Sequence, residues 1–194
     1  MKKSILASLL IFSVLACKKE VKKTETNSTE ESKTEKTQEP IKNSVSLSIQ
    51  LSPKSGSSVS GTAEFVETDG VVQMTAEIKG LEEGSHAIHI HDKGDCSSAD
   101  GKSSGGHWNP TAQPHGKWGA ETGYHKGDIG NFIVENSEDE TTVEFSTNEW
   151  CIGCGDDTKD ILGKGVIVHQ GVDDFTSQPS GAAGSRVSCG GIIE

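Results

Sequence analysis

HAIHIHDKGDC (His86–Cys96) and, after a Gly/Ser-rich gap, GGHWNPTAQPHGKWGAETGYHKGD (Gly105–Asp128) together hold six of the chain's seven histidines; the seventh is His169. In a half-buried strand, successive side chains alternate faces, so His89 and His91 share one side, while Ile88 and Ile90 point the other way with His86 beside them. Two imidazoles on one strand face, with further histidines in the loop that follows, predict a metal site. The segment from Asp92 to about Lys126 is long, irregular and dense in Gly, Ser and Pro. A structureless loop of that length is uncommon in a compact domain unless it is functional, and metal ligands inside it would supply order.

Outward from this stretch the chain reads as short strands. Val45, Leu47, Ile49 and Leu51 alternate with polar residues and predict a strand with one face in a core. Residues 61–67 and 71–78 are the next two, joined at the turn dipeptide Asp69-Gly70. His86–His91 is the fourth. Residues 131–135, 142–145, 165–169 and 187–193 bring the set to about eight, evenly spaced and separated by turn signals, which argues for an antiparallel sandwich or barrel. With 31% hydrophobic residues, 23 glycines and no helix-period apolar stripe, the chain is all-β and carries one domain, residues 41–194.

The first forty residues differ in kind. MKKSILASLLIFSVLAC (1–17) places two lysines before an apolar run too short to span a bilayer comfortably. Its end, Val14-Leu15-Ala16-Cys17, resembles the bacterial lipobox. That implies a signal peptide, 1–16, cleaved before a lipidated Cys17, and so a protein of the bacterial cell envelope that is anchored to a membrane without spanning it, facing the periplasm or the exterior. Residues 17–40, rich in Lys, Glu, Thr and Ser, cannot bury a core and read as a disordered tether. The net charge of −11 excludes a basic nucleic-acid-binding surface, and from residue 41 onward the balance is −13. Four cysteines besides Cys17, an even number, fit an oxidising compartment.

Four motifs, in order, are those of a known family: HAIHIHDKGDC (86–96), GGHWNP with the following His115 (105–115), HKGDIGN (125–131), and GVIVH with GAAGSRVSCGG (165–191). Over roughly residues 45–193 the chain resembles the copper–zinc superoxide dismutases, in their bacterial, lipoprotein-type form. The resemblance implies an eight-stranded antiparallel Greek-key sandwich or barrel with long metal-binding loops. It implies one copper per chain on His89, His91, His107 and His169, and one zinc per chain on His107, His115, His125 and Asp128, with His107 shared. Imidazole serves both oxidation states of copper, and zinc takes a closed N/O site.

The resemblance also assigns supporting roles. Asp173 would accept N–H bonds from His89 and His115; strand alternation, which turns His86 away from copper, makes His86 a hydrogen-bonded neighbour of the site and not a ligand. Cys96 and Cys189 would form a disulfide, worth ~4–5 kcal/mol in the chain-entropy model for a loop of about 94 residues, and would hold Arg186 in place. Cys151-Ile-Gly-Cys154 lies outside the family pattern; a local disulfide and a redox-active or metal-handling CxxC are both open. The implied reaction turns superoxide into dioxygen and hydrogen peroxide by Cu(II)/Cu(I) cycling, with His107 and Arg186 as catalytic residues. Arg186, the chain's only arginine, would guide the anion toward a negative protein. Lys126 and Lys164 are further candidates for that task. The segment between His169 and Arg186 is shorter than in eukaryotic members and has no lysine. A dismutase-like copper buffer without turnover is the alternative; such proteins usually lack a ligand, the bridge or the arginine, and this chain keeps them all. A copper-only enzyme is disfavoured by the full second ligand set. The sequence leaves monomer and homodimer both open.

Overall fold

The computed structural model describes residues 44–193. The expected signal peptide over 1–16, the expected lipidation of Cys17 and the tether reading of 17–40 fall outside the described residues. Eight strands follow in order: β1 (Ser44–Pro53), β2 (Ser60–Thr68), β3 (Val71–Lys79), β4 (Gly84–His91), β5 (Gly130–Val134), β6 (Thr141–Thr147), β7 (Gly165–His169) and β8 (Arg186–Gly191). Every pairing is antiparallel, in the order β5-β4-β7-β8-β1-β2-β3-β6. β5 and β6, the two ends of this order, come close to one another, so the sheet curls into a nearly closed barrel.

The alternating residues of each strand fill the barrel. Ile49, Leu51, Phe65, Met74, Ile78, Ile88, Ile90, Val166 and Val168 belong to one buried cluster with Trp108 and Trp150. Val45 departs from the expected inward face and is 49% exposed. It pairs with Glu67 at the rim, one residue from the first rung of the β1–β2 ladder. β4 is buried on both faces from His86 onward. Its isoleucines enter the barrel core, and its outer face, with His89 and His91, is covered by the loops.

Three connections matter for function: 92–129 after β4, 148–164 after β6, and 170–185 after β7. The first contains one short 3-10 turn, Lys102–Ser104. A disulfide between Cys96 and Cys189, with Cα atoms 5.8 Å apart, ties it to β8. A second disulfide joins Cys151 to Cys154 within the middle connection.

Candidate metal centre

β4 outlasts its neighbour β5, whose pairing with it ends at Ile88–Gly130. Beyond that point two loop segments take over the free edge. Trp108 N–H donates to Ile90 O, Gly127 N–H to Trp108 O, and Ile90 N–H to Gly127 O, each at 2.9–3.0 Å. Gly127 has to be glycine here, because a Cβ would lie 2.1 Å from Ile90 O. This three-way lacing brings His107 opposite His91 as an isolated bridge and sets His125 and Asp128 beside them.

His169 and Arg186 come from β7 and β8. Their register slips between Val168 and His169, so that His169 faces Arg186 where a regular ladder would place Val187. The extra residue, Val187, packs into the core, and the bulge turns Arg186 toward the side of His169. Both line one open cleft of about 830 Å³, together with His91, His107 and His125.

The predicted residues gather into two sets among the described residues. Ligand atoms of His89, His91, His107 and His169 lie within 4.8 Å of one another, and so do those of His107, His115, His125 and Asp128. His107 belongs to both, its ring centroid 4.0 Å from that of His89 and 5.2 Å from that of His115. All seven residues are buried, His107 being the most accessible at 8%.

Five of the six rings are held by one nitrogen. His89 Nε2 donates to Asp173 Oδ2 at 2.9 Å and His115 Nε2 to Asp173 Oδ1 at 2.8 Å. His91 Nδ1 meets Gly105 O at 3.0 Å, and His169 Nδ1 lies 3.4 Å from Gly184 O. A nitrogen that donates fixes the tautomer and leaves the other nitrogen a bare lone pair. Six ring nitrogens are buried without a hydrogen-bond partner: His89 Nδ1, His91 Nε2, His107 Nε2, His115 Nδ1, His125 Nδ1 and His169 Nε2. His115 Nδ1 and His125 Nδ1 sit 3.0 and 3.2 Å from Asp128 oxygens, yet without hydrogen-bond geometry. His107 Nδ1 is 2.8 Å from Asp128 Oδ1. Buried polar atoms are normally paired, so lone pairs that converge without partners fit cations.

Electrostatics agree with that fit. Burial, then the neighbouring histidines, hold His91 and His169 well below the usual imidazole range, which keeps them neutral and ready to bind. Burial likewise lowers His107 to about 4, against the pull of Asp128. Burial opposes charge on His115 too, but its contacts with Asp128 and Asp173 prevail and raise it to about 9. Burial pushes Asp128 and Asp173 up, but the close imidazole nitrogens around them and the backbone N–H groups they accept from hold both well below the carboxylate range.

His86 does not join either set. Its Nδ1 contacts His169 O at 3.2 Å and its Nε2 contacts Glu82 O at 2.9 Å, beneath the strand end that carries His169. Arg186 Nη1 donates to Gly101 O at 2.9 Å and Ser104 Oγ at 3.0 Å, both on the loop that Cys96 anchors. Lys126 and Lys164 do not line the cleft. Lys126 pairs with Glu149, and Lys164 lies 3.8 Å from Asp92 and over the Trp108 ring. The lysine at the cleft is Lys102, paired with Asp100 at 3.0 Å. Asp174, next to Asp173, is exposed and caps the turn at Thr176 and Ser177.

Three supporting residues escaped sequence reasoning. Asn131 grips the Asp173 backbone through both amide atoms, each at 2.8 Å. Gln178 does the same to His115, accepting from its N–H and donating to its carbonyl at 2.9 Å. Ser104 receives the Arg186 guanidinium. Asn131 stood inside a matched motif; Gln178 and Ser104 gave no local signal.

The chain matches the copper/zinc superoxide dismutase (SODC) family profile over residues 59–192. It is 34% identical over 139 residues to "Superoxide dismutase [Cu-Zn] 2" of Aquifex aeolicus, covering 69% of this chain and 79% of that protein. It is 35% identical over 135 residues to a Caulobacter vibrioides "Superoxide dismutase [Cu-Zn]", covering 68% and 77%. Among solved structures, a SOD-like protein from Bacillus subtilis carrying two substitutions to histidine superimposes with a TM-score of 0.67 at 32% identity, over 76% of this chain and 97% of that one. A barrel with two buried donor sets joined through one imidazole, and this profile along most of its length, place the chain in the copper/zinc superoxide dismutase family, whose metals are copper and zinc.

Proposed function

We propose that this protein is an active superoxide dismutase, with copper on His89, His91, His107 and His169 and zinc on His107, His115, His125 and Asp128. The observation that carries the reading is the division of the six partnerless nitrogens into two sets that meet at His107. When bound, copper supplies one-electron oxidation and reduction, and zinc a fixed positive charge. The net change converts two superoxide anions and two protons into dioxygen and hydrogen peroxide.

The chain's own residues do the rest. Arg186, aimed into the cleft and fixed by Gly101 and Ser104, docks the anion beside His169. His107, which lines the cleft, can hold a proton on Nε2 and pass it to a superoxide docked there. Asp173 keeps His89 and His115 in the ligand tautomer.

Metal analysis with a superoxide-consumption assay tests the proposal: one copper and one zinc per chain with fast turnover are expected. Copper bound without turnover would instead support the buffering role. Arg186→Ile should retain both metals and lose about tenfold in kcat/KM, an effect that shrinks with added salt; equal activity would remove the steering role. We place the protein at a bacterial envelope membrane through Cys17, on the lipobox reading alone. Mass spectrometry of the mature N-terminus would show the lipid.

A further inference from the structure

We propose that the connection between β6 and β7 is a thiol–disulfide exchange site, in which a dithiol protein attacks Cys154 and Cys151 is the leaving sulfur. The two cysteines are unlike. Cys151 is 6% exposed and follows the core residue Trp150, whereas Cys154 is exposed. Cys154 is flanked by Gly153 and Gly155, so no adjacent side chain stands over its sulfur. A buried sulfur bonded to an accessible one, at CxxC spacing, gives an incoming thiolate one target.

The loop does not depend on this bond for its shape. The Asp160 carboxylate accepts from the N–H groups of Gly153, Gly155 and Leu162 at 2.9–3.0 Å. Cys151 N–H donates to Lys159 O, and its carbonyl accepts from Ile161. Ile152 N–H donates to Glu67 on β2. None of these bonds uses a sulfur atom, and the disulfide spans only three residue steps, compared with 93 for Cys96–Cys189. A metal occupant is less well supported. Cys151, Cys154 and Asp160 lie close together, but the sulfurs are bonded to each other and both Asp160 oxygens are already engaged.

The exchange balances as follows. A partner thiolate attacks Cys154 Sγ, the S–S bond breaks, and its electron pair leaves on Cys151 Sγ, which takes a proton. The partner's second thiolate then attacks its own sulfur in the mixed disulfide, releasing the Cys154 thiol and a partner disulfide; two electrons and two protons enter the loop. Asp156, Asp157 and Asp160 outnumber Lys159 here and disfavour thiolates. The pair is therefore a weak oxidant, and a dithiol, which completes the second attack intramolecularly, suits it better than a monothiol such as glutathione.

The oxidised, metal-loaded full chain is incubated with a thioredoxin whose second cysteine is changed to serine. A mixed disulfide mapped to Cys154 is expected. With intact thioredoxin, Cys151–Cys154 should open at least about tenfold faster than Cys96–Cys189. No adduct, an adduct on Cys151, or the two disulfides opening together would overturn the proposal. As a second measurement, Cys151→Ala should leave a thiol that alkylates at least about tenfold faster than the one left by Cys154→Ala; equal rates would overturn the assignment of attacked and leaving sulfur.

Discussion

The two halves of the metal centre are built by different means. His89, His91 and His169 stand on β4 and β7, where the ladder Ile88–Val168, His89–Ile167, Ile90–Val166 and His91–Gly165 fixes their spacing. His115, His125 and Asp128 stand on a connection without strands and depend on side-chain clamps: Asp173 and Gln178 on His115, and the N–H groups of Gly116 and His125 on Asp128. His107, bridged to His91 on one side and bonded to Asp128 on the other, belongs to both halves. Backbone register places ligands without help from the metal, while a loop needs polar contacts and the cation itself to hold its shape.

The largest test of this contrast is His91→Ala. It should abolish copper retention and turnover while zinc stays at its wild-type level by metal analysis. Loss of zinc as well would mean that the strand half supports the loop half. Asp173→Asn comes next, since it unfastens one ring on each side. A loss of ~10–100-fold in zinc affinity is expected from chelator competition, with a smaller loss for copper because His89 keeps its strand. Equal losses would break the comparison.

Gln178→Ala removes two neutral hydrogen bonds from the His115 backbone, each worth ~0.5–1.5 kcal/mol. Zinc affinity should fall by about tenfold with copper affinity unchanged. The smallest effect is in protons. His115, raised to about 9 in the metal-free protein, is protonated at pH 7, whereas His91 and His169 are held neutral. Loading zinc at pH 7 should release about one proton from His115, and loading copper none from His91 or His169, as read by calorimetry in buffers of different ionisation heat. The sign for stability is opposite for His115 and His107. The His115 contribution is present below its unfolded value and is lost as pH rises through about 9; His107, lowered to about 4, costs stability as pH falls from its unfolded value through about 4.

The same contrast decides what could be read in the sequence. Strand alternation gave the eight strands to within a few residues at their ends, because one face of each enters the barrel. It also put His89 and His91 on a common side. The bulge that sets Arg186 across from His169 left no trace, since Val187 looks like any strand residue; that neighbourhood came from the family resemblance alone. Gln178 and Ser104 were illegible for a related reason. An amide or hydroxyl in a loop has no periodicity, and its partner lies 63 or 82 residues away. Lys126 and Lys164 were singled out for their charge, but Glu149, Asp92 and the Trp108 ring occupy them.

Asp173 has no room to move. Gly181 roofs it so closely that a Cβ there would fall 1.7 Å from Oδ1 and 2.6 Å from His115 Nε2. A carboxylate locked between a strand ring and a loop ring makes a rigid coupling: a shift of either imidazole presses on the other through a group that cannot yield.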